Sequence, residues 1–227
     1  MKKMTSEVQE KNEVNNNGIT PKKLSSIMDM THLNYGNMIK RLSGKRRFSD
    51  FILPYYSIAL IIFSLTALVY PKAINTTLTT YFSIVISIVV LVYSITNGQA
   101  HYGTRIQKAE KIMLSIKNLQ REINDSNAEE KKKEYDVVMG NAEFRSDMDF
   151  FKSVKQRCGR KGLNWFKIKY SKKYCLQVED KEFYYKMKEY LGEMNPLFLQ
   201  MEIILSFLLN CVIVLIPIAI LILCFKI

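Results

Sequence analysis

Apolar residues gather along the chain in three long blocks, Phe51–Tyr70, Thr80–Thr96 and Ile203–Phe225, none of which holds an Asp, Glu, Lys or Arg. A helix that crosses a bilayer needs about 20 mostly apolar residues, because the hydrocarbon is about 30 Å thick and each residue rises about 1.5 Å. The first block has that length and the third exceeds it. The second reaches it through the uncharged residues Ala73–Thr79 and Asn97–Gly103 on either side. A buried core helix is rarely apolar all round for so long. The pattern predicts an all-α integral membrane protein. It has an N-terminal two-span hairpin within 49–103 (spans about 51–70 and 76–99), a helical cytoplasmic region over 104–195 and one C-terminal span within 196–227.

The polar stretches carry a different periodicity. Residues 1–20 are polar and Asn-rich, with no apolar signal-peptide core, and read as a disordered tail. Within 21–48, Leu24, Ile27, Met28, Met30, Leu33, Met38, Ile39 and Leu42 recur at near-helical spacing, which predicts a separate amphipathic helix. Ser49 or Asp50 is the expected N-cap of span one, with Pro54 in its first turn and Pro71 ending it. Beyond span two, Ile106, Ala109, Met113, Ile116 and Ile123 follow the alternating three-and-four spacing of a coiled coil, with Gln120 as the polar exception. This run is expected to prolong the span-two helix and pack against a partner. Further helices are expected over Glu129–Val154 and about Glu179–Met194, and Asn195–Pro196 marks the start of the last one.

The formal charge of +12 changes the picture by giving it an orientation. Residues 1–50 carry ten Lys/Arg against five acids and residues 100–200 carry twenty-one against fifteen, whereas the Pro71–Thr79 turn has only Lys72. Positive residues stay on the cytoplasmic side during insertion, so both flanks of the hairpin are expected inside, in the inner (plasma) membrane, with the N-terminus cytoplasmic and Ile227 outside. Cys158, Cys175, Cys211 and Cys224 have neither disulfide nor zinc-ligand spacing.

Catalytic motifs are missing: the two histidines, His32 and His101, lie in no nucleophile or metal pattern, and no Gly-rich phosphate loop occurs. No enzyme activity and no cofactor or metal are expected, and Glu143, Asp147 and Asp149 read as a solvated face. A stronger pattern lies in span two, where Thr76, Thr80, Ser83, Ser87, Val90, Ser94, Asn97 and His101 recur at intervals of four and three and share one narrow stripe. Two readings stay open. One is a helix-packing seam whose hydroxyls bond back to carbonyls one turn earlier. The other is the lining of a pore in a homo-oligomer, with Val90 as its hydrophobic constriction.

In span three, Glu202, Ser206, Asn210 and Pro217 share a face, with Pro217 expected to kink the helix and Asn210 to bond to another helix. Phe150–Val178 holds nine bases and no acid, interleaved with aromatics. Its residues Lys161, Trp165, Lys167, Lys169, Lys172 and Lys173 suit an anionic lipid leaflet, a nucleic acid or nucleotide, or plain solvent.

The layout resembles a known family. A short amphipathic helix with Leu24, Ile27 and Ile39 precedes a basic stretch with Arg46 and Arg47. A hairpin follows with Tyr55 and Tyr56 early in its first span, and then a long helix rich in Ile, Lys and Gln. This is similar to the SLATT domain, a two-span effector module of prokaryotic conflict systems. The segment Asn141–Phe151 (NAEFRSDMDFF) and the third span look most like the subgroup often encoded beside reverse transcriptases, although Phe144–Arg145 stand where that family commonly has a His. The resemblance implies an antiviral effector that forms pores or disrupts the lipid bilayer, arresting the host. Its activator would be a partner such as a reverse transcriptase or a nucleotide-messenger system. A membrane-anchored scaffold or sensor that binds a polyanion is the alternative.

Overall fold

The computed structural model describes residues 19–226, so the tail expected over residues 1–20 lies almost wholly outside them, as does Ile227. Among the described residues every regular element is helical. Helix α1 runs without a break from Pro21 to Val69, 49 residues and about 74 Å at 1.5 Å per residue. It opens with Thr20, whose Oγ1 accepts from Lys23 N at 3.4 Å, and with Pro21 at the first position, where a missing N–H costs nothing. It stops at Tyr70 because Pro71 follows.

Here the structure departs from the sequence reading, since the amphipathic helix and span one form a single rod. Ser49 and Asp50 do not cap a new start. Ser49 is buried within the helix, and Asp50 pairs with Arg46 one turn earlier at 3.6 Å. Pro54 lies in the helix interior, where tertiary packing on both sides outweighs its local cost.

Asn75 starts α2 (Thr76–Gln99) by accepting from Leu78 N at 3.1 Å. The expected unbroken extension of α2 does not occur. His101 takes a left-handed φ of 45°, a conformation His tolerates better than most residues, and α3 (Tyr102–Glu122) resumes after it. The coiled-coil-like face of α3 finds its partner in the same chain. Ala109, Ile116 and Leu119 pack with Leu24, Met28, Tyr35, Met38 and Leu42 of α1 in an antiparallel helical hairpin. Gln120, the polar exception, donates to the Ser25 carbonyl at 3.3 Å and to its Oγ at 3.1 Å.

The single helix expected over Glu129–Val154 is two, α4 (Ala128–Gly140) and α5 (Asp147–Arg160). Ser146 caps α5 by accepting from Met148 N at 3.2 Å. Gly162, with φ 67°, closes α5 in a left-handed turn: Gly162 N donates to Gly159 O at 3.0 Å and Leu163 N to Cys158 O at 2.9 Å. Short α6 (Trp165–Tyr170), a 3-10 turn (Lys172–Gln177) and α7 (Lys181–Gly192) wrap a second core around Phe151, Val154, Ile168, Tyr184 and Leu191. Helix α8 (Pro196–Lys226) then returns to the membrane.

Among the described residues three helices are long and apolar enough to cross a membrane: the C-terminal part of α1, α2 and α8. They meet around Ile52, Tyr56, Phe63 and Ile86. Contacts of α8 advance in step with those of α1, from Tyr55 beside Val214 to Ile62 and Phe63 beside Leu221, so these two helices run parallel and α2 runs against them.

Candidate functional site

The polar stripe of α2 sits beside its packing seam. The seam proper is formed by Thr79, Phe82, Ile86, Val90 and Tyr93, buried or half-buried against the other spans. Of the stripe residues, Ser83, Val90 and Asn97 are half-buried at its edge, while Thr76, Thr80, Ser87 and Ser94 are exposed. Several hydroxyls bond back one turn: Thr80 Oγ1 donates to Thr76 O at 2.9 Å, Ser83 Oγ to Thr79 O at 2.9 Å and Ser87 Oγ to Ser83 O at 2.8 Å. One protomer therefore leaves a line of hydroxyl-bearing positions facing outward from the hairpin. His101 falls off that line, because its left-handed backbone breaks the helical register after Gln99. Val90 packs towards span one, which counts against a gate there.

On α8, Glu202 and Ser206 are exposed, Asn210 is half-buried and Pro217 is buried. These four are not brought together in one site. Glu202 borders a cleft of about 450 Å³ with Arg145, Asp147, Phe198 and Glu193. Pro217 meets α1, where Tyr56 Oη donates to Ile213 O and Tyr55 Oη to Val214 O, each at 2.7 Å.

The basic segment is divided by its folding. Lys161 pairs with Asp180 at 3.4 Å, and Trp165 stands edge-on to Phe151 with ring centroids 5.3 Å apart, half-buried in the core. Lys169 caps the end of α7, its Nζ donating to the carbonyls of Leu191, Gly192 (3.4 Å) and Met194 (2.8 Å). Lys167 and Lys173 stay exposed, Lys167 with its Nζ 5.6 Å from the Tyr174 ring centre. The Lys172 side chain lies outside the described residues.

The acidic trio is not one solvated face. Asp149, in the first turn of α5, is fully buried and gripped by Arg41 of α1, with Nε at 3.0 and 3.2 Å from its carboxylate oxygens and Nη2 at 2.9 Å. A buried carboxylate needs such a partner, and the bidentate fork supplies it. Asn37 extends the contact, donating to Ser153 Oγ at 3.0 Å and accepting from Gln156 Nε2 at 3.1 Å. Glu143 bonds to Arg105, which raises the Arg105 pKa above its ordinary value chiefly through that hydrogen bond. Burial, then the neighbouring Tyr135, raises the Tyr35 phenol. Among the described residues no group of three or more His, Cys, Asp or Glu could hold a metal.

Sequence reasoning had missed both the Arg41–Asp149 fork and the tyrosine bonds to α8. The available signals were Asn37 and Arg41 one turn apart beside an apolar stripe, and two adjacent phenols early in an uncharged span.

An unbroken helical rod of membrane-crossing length, a polar stripe on the next span and a third long apolar helix define a helical membrane protein with an extramembrane bundle. The chain belongs to the SMODS and SLOG-associating 2TM effector domain family 5, whose family model matches residues 22–223 and so includes the third apolar helix. Neither a curated protein nor a solved structure matches it. Membership makes this a membrane effector domain of the kind found in conflict systems.

Proposed function

We propose that the protein permeabilises the inner membrane after a partner activates it, and that copies assemble through the α2 stripe. The observation that carries this reading is the exposure of Thr76, Thr80, Ser87 and Ser94 on a helix of membrane-spanning length. In hydrocarbon, small and hydroxyl-bearing faces are favoured against protein or water rather than lipid tails. A ring of such stripes would give a hydroxyl-lined path. The activator is proposed to be a reverse transcriptase or a nucleotide-messenger system, and the resulting leak would arrest the infected host. The charge pattern supports an orientation with the bundle in the cytoplasm.

The test is depolarisation of cells on overexpression, with protein abundance measured alongside. Ser87→Leu with Ser94→Leu should abolish the leak at unchanged abundance, because both side chains are exposed in the protomer and their enlargement leaves the internal seam intact. Val89→Ser, on the lipid-facing side, should change little. A leak that persists undiminished in the double leucine variant would refute the reading.

The scaffold alternative keeps one specific support, the exposed Lys167 and Lys173. If charge reversal at these two lysines releases the protein from a polyanion without affecting depolarisation, that role is separate from permeabilisation.

A further inference from the structure

Pro217 lies inside α8, in the middle of its apolar stretch. Proline has no N–H, so the carbonyl four residues earlier, that of Ile213, loses its donor within the helix, and the proline ring pushes that carbonyl outward. A bare carbonyl in hydrocarbon demands a partner. It has one: Tyr56 Oη donates to Ile213 O at 2.7 Å, and the adjacent Tyr55 Oη donates to Val214 O, also at 2.7 Å. Tyr56 is buried, so no water competes for this bond.

Beside Pro217 an apolar cleft of about 190 Å³ lies between the two helices, bordered by Ile58, Ile62, Phe63, Pro217 and Leu221. The same helix that carries the tyrosines carries Arg41, about 21 Å away along an unbroken axis, and Arg41 is held by Asp149 of the extramembrane bundle. Because α1 does not break at the membrane surface, a shift of the bundle reaches the tyrosines as a shift of the rod.

We propose that Tyr55, Tyr56 and Pro217 form a latch that holds α8 against α1 in the resting protein, and that displacement of α1 by the bundle opens it. Opening breaks the two phenol–carbonyl bonds and leaves the Ile213 carbonyl free for water entering beside the cleft. The link from opening to leak rests on the permeabilising role proposed above, whereas the latch does not.

The experiment uses the full chain in lipid nanodiscs, with spin labels on cysteines placed at the exposed positions Ser64 and Ile222, and with Cys175 and Cys211 changed to Ser. The unsubstituted latch should give one narrow distance. Tyr55→Phe with Tyr56→Phe should broaden it and lengthen it by several ångström. Pro217→Ala, which restores the N–H and gives the Ile213 carbonyl a donor within its own helix, should disturb the distance by itself and make Tyr56→Phe alone nearly silent.

An unchanged distance in the tyrosine double variant overturns the latch, as does an equal effect of Tyr56→Phe whether Pro217 is present or replaced by alanine. Should the tyrosine double variant fail to accumulate, an unchanged distance in Pro217→Ala overturns it as well. In cells, the tyrosine variant should depolarise the membrane several-fold more than the parent at equal abundance. A changed distance without added leak would keep the latch and reject the permeabilising role.

Discussion

Replacing Arg41 by Met removes the charge that faces Asp149 while keeping most of the aliphatic stem. The Asp149 side chain is fully buried and Arg41 is only 22% exposed, so water reaches the pair from one side at most. Deleting one partner of a buried pair costs about 3–5 kcal/mol, because the remaining charge is left uncompensated. The partial exposure of Arg41 argues for the lower end, about 3 kcal/mol, which is roughly a hundredfold in the folding equilibrium. Arg41→Met combined with Asp149→Leu should recover most of this loss, since apolar replacements of a buried pair are near neutral. The pair should therefore be non-additive by about 2 kcal/mol or more.

Denaturant unfolding followed by Trp165 fluorescence measures all four proteins. Trp165 is the single tryptophan, and it packs against Phe151, two residues from Asp149 on α5. A cost below about 1 kcal/mol for the single variant, typical of exposed pairs, would refute the claim of a buried fork. Simple additivity in the double variant would refute it equally.

The remaining expectations concern separate parts of the chain. Lys169→Gln, which weakens the cap on α7, should cost about 1–2 kcal/mol in the same unfolding assay. It should leave the salt-sensitive retention of an oligonucleotide by the membrane-embedded protein unchanged, whereas Lys167→Glu with Lys173→Glu should weaken that retention with little loss of stability. Burial pushes the Cys158 thiol up to about 11, so it should resist alkylation near pH 8 until the bundle unfolds, while the half-buried Cys175 of the same bundle reacts before it. The Cys158 contribution to stability is present below the ordinary thiol range and is lost as pH rises through about 11, read as a falling unfolding midpoint. Asp180 has the opposite sign. The Phe183 N–H, then Lys161, hold its carboxyl below the usual value, so its contribution is present above that usual value and lost as pH falls below it. Asp180→Ala should flatten the acid limb of stability measured between about pH 5 and 3. A periplasm-active reporter fused after Asn75 or after Ile227 should be active and one after Asn127 silent, and activity at Asn127 would reverse the proposed orientation.

The sequence alone determined what depends on local composition and period. Blocks of about 20 residues without charge define membrane-crossing helices wherever they are placed, because an unpaired charge or backbone group in hydrocarbon is costly. The three-and-four spacing of Leu24–Leu42 and of Ile106–Ile123 likewise marked two apolar faces, and the structure presses them together. The SLATT resemblance was legible in the same layout, since residues 22–223 match the family model.

Tertiary structure alone decided which local signal won where two competed. Ser49, Asp50 and Pro54 form a good helix start by local rules. The chain passes straight through them because packing below through Leu42 and above through Ile52 and Tyr56 fixes one axis. Asp149 read as a solvated acid because nothing near it in sequence announces Arg41, 108 residues away. The bonds from Tyr55 and Tyr56 to α8 needed the fold for the same reason, since a carbonyl released by Pro217 becomes an acceptor only once a donor lies beside it. Periodicity records which side of a helix avoids water, and only the assembled fold records what that side touches.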